Sequence, residues 1–119
     1  MKDYLTAKLY YDLGTYTGNA SYTADMRING NNILACITTA QNALKDYPYT
    51  SMREDISILL LRAKHKLGSE SVLEKKEERM RETIDEYYAF KNEFPESKYM
   101  KEVESIYKDA SKYVKELNE

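Results

Sequence analysis

Cysteine and histidine each occur once in this 119-residue chain, and proline and glycine together only six times. A lone Cys36 rules out an intrachain disulfide and leaves the redox compartment open. His65 has no second imidazole to work with, Cys36 falls on a different predicted helix, and none of the four glycines forms a loop that cradles phosphate. Asp85 and Glu86 are adjacent carboxylates, but neighbours on a helix point in different directions, so they give no support for paired-carboxylate hydrolysis. These shortages lead to the expectation of a non-enzymatic protein with no metal, nucleotide or other cofactor site. Charge of one sign is also lacking: 18 basic residues meet 20 acidic ones, for a net charge of −2, so there is no basic footprint for nucleic acid. The N-terminal MKDYLTAKLYYDLG holds no apolar run long enough for a signal peptide or membrane span, and no lipid-anchoring cysteine stands there. The chain is therefore expected to be cytosolic or the mature or truncated part of something longer. Its start in helical periodicity without a leading cap favours truncation.

What the chain does have is long charged segments without breakers, with charged residues at 32% and strand patterns nearly absent. The expected fold is all-α, a single domain of about five helices. The first helix covers Asp3 to about Thr17, with Leu5, Leu9, Leu13 and Tyr16 on one side. Turn-forming residues from Gly18 through NASYTADMRINGNN predict a long loop over 18–31, after which Asn31 or Asn32 caps a second helix. Its apolar face is Ile33, Ile37, Ala40 and Leu44, with Cys36 and Ala43 beside it. Ser51 and Glu54 have capping-box spacing for a third helix starting near Met52. That helix holds ISILLLRA, apolar nearly all round, which requires cover on several sides. Ser71 and Glu74 repeat the spacing for a fourth helix ending near Phe94, where Ile84, Tyr87, Phe90 and Phe94 recur at steps of three and four. A fifth runs from Lys98 to about Leu117.

Two prolines, Pro48 and Pro95, stop the second and fourth helices 47 residues apart. Cys36, Ala40 and Ala43 lie 12, 8 and 5 residues before the first; Thr83, Tyr87 and Phe90 have the same offsets from the second. This series resembles the second helix of a tetratricopeptide repeat, and Leu13-Gly14 and Leu67-Gly68 resemble its first-helix end, where a small residue lets two helices approach closely. The usual spacing is about 34, so the fit is imperfect; a generic helical bundle is the competing reading. Stacked hairpins of this kind form an α-α superhelix with a concave surface lined by the first helix of each pair. Counting from the Leu-Gly pairs, Lys8, Tyr11, Thr15, Arg62, His65 and Ser69 are the candidate protein- or peptide-binding residues, since tyrosine, arginine and lysine combine broad contact with charge-assisted donors.

The wording AKLYYDLG, ITTAQNALKDYPYTSMRED and LLLRAKHKLGSESVLEKKEERMRETIDEYYAFKNEFPESKYMKEVESIYKDASKYV is similar to the C-terminal part of the BamD (YfiO) outer-membrane assembly lipoproteins, particularly those of Bacteroidetes. That resemblance implies a periplasmic, outer-membrane-associated scaffold of tetratricopeptide-like repeats. Its implied partners are a BamA-type barrel assembly component and unfolded outer-membrane proteins. A cytosolic helical-repeat module that binds peptides or small ligands is the alternative. Most of the twelve tyrosines, Tyr47, Tyr87, Tyr88, Tyr99 and Tyr107 among them, are expected to bury their rings in the core.

Overall fold

The computed structural model describes residues 2–15 and 22–114, and of residues 2, 3, 13–15 and 22–30 the backbone alone. The described chain is all-α: α1 (Lys2–Thr15), α2 (Tyr22–Asp46), α3 (Arg53–Ser69), α4 (Leu73–Glu93) and α5 (Met100–Ser111). Two compact units, Met1–Ala63 and Lys64–Glu119, divide within α3. Three of the five helices keep their predicted extents to within two residues. The second does not, because residues 22–31 belong to α2 rather than to a loop over 18–31. Asn31 and Asn32, expected as caps, are interior. Asparagine and glycine lower helix propensity by at most about 1 kcal/mol each, whereas only proline blocks a helix sterically, and no proline precedes Pro48. Gly30 accordingly keeps a negative φ. The fifth helix ends early, with Lys112 and Tyr113 in a turn. Tyr16, Thr17, residues 18–21 and Leu117 lie outside the described residues.

In the first unit α1 packs along α2. Among the described side chains of α1 the buried one is Ala7, not the expected Leu5 and Leu9, which are 62% and 58% exposed; the side chain of Leu13 lies outside those described. Apolar residues ring this helix, and Tyr4, Ala7 and Tyr11 satisfy the same helical spacing as Leu5 and Leu9; the half-buried Tyr4 and Tyr11 flank Ala7 on the side that packs. On α2 the buried line is Ile33, Cys36, Ala40 and Ala43, with Ile37 and Leu44 half-buried at its edge. All six residues from Ile56 to Leu61 are buried on α3, as its all-round apolar pattern requires. Each Leu or Ile removed from water there stabilises by about 1.5–3 kcal/mol.

Burial also governs Cys36. Its thiol is pushed up to about 12, chiefly by desolvation and secondarily by the Asp12 carboxylate. Thiolate is the reactive form, so Cys36 is expected to resist dithionitrobenzoate at pH 8 in the folded protein and to react stoichiometrically in urea. Rapid labelling without denaturant would contradict this burial.

The turns after α2 and α4 are the same structure built twice. Tyr47 N–H donates to the Ala43 carbonyl at 2.9 Å, and Phe94 N–H to that of Phe90 at 2.8 Å. Thr50 N–H reaches Tyr47 O as Ser97 N–H reaches Phe94 O, both at 3.1 Å; Arg53 to Thr50 and Met100 to Ser97 follow at 3.2 and 3.1 Å. The Thr50 and Ser97 hydroxyls then accept from the amides of Met52 and Tyr99, at 3.2 and 3.0 Å. Every correspondence is 47 residues. Thr50 therefore occupies the place of Ser97, one residue before the predicted Ser51. The offset series is matched by burial: Cys36, Ala40, Ala43, Thr83, Tyr87 and Phe90 are all buried.

In the second unit α4 and α5 run antiparallel. Met80 and Ile84 cluster with Ala110 and Val114, and Tyr87 stacks on Tyr107 with centroids 4.4 Å apart. Gly68, buried near the end of α3, explains how α4 comes so close: a Cβ there would lie 3.0 Å from the Met80 sulfur. The expected capping box at Ser71 is not formed. Val72 is the N-cap of α4 and makes no side-chain cap bond, while the Ser71 hydroxyl donates back to Leu67 O and accepts from Arg79 at 2.6 Å.

Candidate functional site

The six residues predicted to line a groove are distributed over both units. In the first, Lys8 is exposed and pairs with Asp12 one turn on, at 3.5 Å. Tyr11 is half-buried in line with Ala7, and Arg62 is half-buried on α3. Thr15 ends α1, and its side chain lies outside those described. In the second unit Ser69 and His65 are one turn apart on α3, where the Ser69 hydroxyl donates to the His65 carbonyl at 2.8 Å. Because that hydroxyl is turned to the backbone, it does not form a serine–histidine nucleophilic pair.

The lone imidazole, His65, is engaged within the second unit. It is half-buried, and its Nε2 lies 2.6 Å from Asp109 Oδ2 on α5. Lys64, its neighbour, reaches Glu86 on α4 at 2.9 Å, so Glu86 is also engaged while Asp85 remains exposed. Successive residues of α3 thus hold α5 and α4 respectively. Their partners stand 44 and 22 residues away, a separation that helical periodicity does not encode.

Between α4 and α5 lies a second polar group that sequence reasoning assigned only to packing. The buried Tyr87 directs its hydroxyl to both Glu104 oxygens at 3.0 Å and receives Lys91 at 3.3 Å, while Lys91 and Glu104 approach to 3.4 Å. Burial raises the Tyr87 pKa above its ordinary value, with Glu104 adding to the rise and the Lys91 hydrogen bond opposing it. Lys91 is raised as well, first by its bond to Tyr87 and then by Glu104. Tyr88 and Tyr107 join the group through their hydroxyls at 3.3 Å. The arrangement fixes the register of two helices.

Not all aromatics are core. Tyr87 is buried and Tyr99 and Tyr107 are half-buried, but Tyr47 and Tyr88 are exposed. The repeat supplies the reason for Tyr47: its counterpart Phe94 rests on Phe90 at 5.2 Å, whereas the residue below Tyr47 is Ala43, which has no ring. Tyr47, Pro48 and the 98% exposed Tyr49 therefore frame an open depression of about 450 Å³ with Asp46 and Thr50.

Among the described residues no three His, Cys, Asp or Glu side chains come together as a metal site, and no helix is long and apolar enough to cross a membrane. Compared with family models, curated proteins and solved structures, the chain matches none.

Proposed function

We propose that this chain is a non-enzymatic scaffold for protein partners, built from tetratricopeptide-like hairpins and acting, as its resemblance to the BamD lipoproteins implies, in outer-membrane β-barrel assembly. The observation that carries the repeat half of this proposal is the twice-built helix–proline turn–helix unit, whose hydrogen bonds recur at 47-residue intervals. Gly68 under Met80 is the second support, because close helix approach at a small residue is what the Leu-Gly position provides in such repeats. The envelope location and the BamA-type and unfolded-barrel partners rest on the wording of the sequence alone. In this proposal binding is by display: Lys8 and Arg62 supply cationic donors and Tyr11 broad contact to an extended peptide or carboxylate.

The test is capture of purified BamA-type component and of an unfolded outer-membrane protein by the immobilised chain. Reversing two charges, Lys8→Glu with Arg62→Glu, should reduce capture at least about tenfold, a loss of roughly 1.4 kcal/mol. Circular dichroism of the variant controls for folding. Undiminished capture would remove these residues from the binding surface, and no capture by the parent chain would remove the envelope reading.

A further inference from the structure

Three tyrosine rings meet between α4 and α5, and they are held in different ways. Tyr87 is buried, lies nearly parallel to Tyr107 at 14°, and has its oxygen enclosed by Glu104 and Lys91. Tyr88, the next residue, is 46% exposed. Its ring stands at 62° to that of Tyr107 with centroids 5.8 Å apart, and its hydroxyl donates to the Tyr107 oxygen at 3.3 Å. Two phenols from different helices thus face each other hydroxyl to hydroxyl, one of them open to solvent. The contact is exposed, so as a hydrogen bond it adds little to stability beyond the ring packing.

Its chemical consequence is larger. A phenol that loses one electron and one proton becomes a phenoxyl radical, whose unpaired electron is shared between the oxygen and the ring carbons on either side, here the two Cε atoms. When two such radicals meet, a Cε–Cε bond forms, and each ring regains aromaticity as its Cε hydrogen moves to oxygen. In that product the hydroxyls stand side by side next to the new bond, with the rings twisted about it. Tyr88 and Tyr107 already have this order, hydroxyls adjacent and rings steeply inclined. Their centroids must close by about one carbon–carbon bond length, a shift that the exposed Tyr88 makes by turning about its own side-chain torsions. Tyr87 is nearer to Tyr107, at 4.4 Å, but meets it face to face. To come edge to edge it would have to leave its stack, the core and its bonds to Glu104 and Lys91.

We infer that Tyr88 and Tyr107 are an oxidative cross-linking site, where a peroxidase-type one-electron oxidant joins the two rings through a Cε–Cε bond and so ties α4 to α5. Two tyrosines and one hydrogen peroxide give one dityrosine and two waters: each ring loses one electron and one proton, and the peroxide takes up both electrons. The link closes a loop between residues 19 apart, so the linked chain unfolds at a higher urea concentration.

The whole chain, at low micromolar concentration, is treated with a haem peroxidase and hydrogen peroxide, and the monomer fraction is digested with trypsin, which cuts after Arg81, Lys91, Lys101 and Lys108. The expected product joins peptides 82–91 and 102–108, two hydrogens lighter than their sum, with fragmentation placing the bond at Tyr88. Tyr88→Phe and Tyr107→Phe should each abolish it. Tyr87→Phe, which keeps the ring, should form it as the parent does. In urea the yield should fall at least about tenfold, because the rings then meet only through chance loop closure. Absence of the product, a bond from Tyr87, linked peptides persisting without either phenol, an undiminished yield in urea, or coupling only between chains would each overturn the inference.

Discussion

Replacing Met80 with alanine is expected to lower stability by about 2–5 kcal/mol, read as a shift in the urea midpoint at neutral pH, with a fall in thermal midpoint on the order of 10 °C. Met80 is wholly buried and touches Ile84, Ala110 and Val114, so its removal leaves a cavity bounded by α3, α4 and α5 rather than a gap that solvent fills. The partner change is Gly68→Ala. Alanine is the better helix former by about 1 kcal/mol, but its methyl would stand 3.0 Å from the Met80 sulfur, and a thioether enclosed on all sides has little room to yield. A small net loss follows for the single change. In the double variant the new methyl occupies part of the vacated space, so the combined loss should fall short of the sum by about 0.5 kcal/mol or more. Strict additivity would mean that the close approach at Gly68 is not what seats α4 on α3.

Truncating Tyr87 to alanine should remove about 3–5 kcal/mol, and changing it to phenylalanine about 1–2, because the second change keeps the ring stacked on Tyr107 and deletes only the hydroxyl bonded to Glu104 and Lys91. The pair of substitutions separates packing from polar contact. A pH series separates them again. The folded-state pKa of Tyr87 is raised, so the neutral hydroxyl is favoured by folding; its contribution is complete below the ordinary tyrosine value near 10 and is lost as pH rises through the folded value. Lys91 is raised too and loses its contribution in the same direction. The parent protein should therefore weaken above about pH 10, and Tyr87→Phe should weaken less steeply there. An equal slope in both proteins would exclude the Tyr87 hydroxyl as the titrating group.

The same residues show how far sequence carries. Helical spacing identified Ile84, Tyr87 and Phe90 as core, and all are buried, since on a helix with polar residues elsewhere one face alone can be dry. That reasoning failed on α1, where apolar side chains ring the helix and periodicity has no single answer; the packed side centres on Ala7, and Leu5 and Leu9 face water. It failed over residues 22–31 for another reason, since propensity is a small energy that neighbouring helix overrides. Of the candidate groove, chain positions on α1 and α3 were legible, but not that His65 would meet Asp109 or Lys64 meet Glu86. Those pairs join residues 44 and 22 apart, and no local pattern specifies them.

The sequence by itself determined an all-α chain, two proline-stopped helices 47 residues apart, and the positions before each proline that are buried, because local sterics and 3.6-residue periodicity act within a few residues of one another. Tertiary structure alone decided which side of α1 packs, that Gly68 admits Met80, and which charges on α4 and α5 remain outside. Each of those depends on what a helix or turn packs against, a property of the folded chain rather than of any one segment.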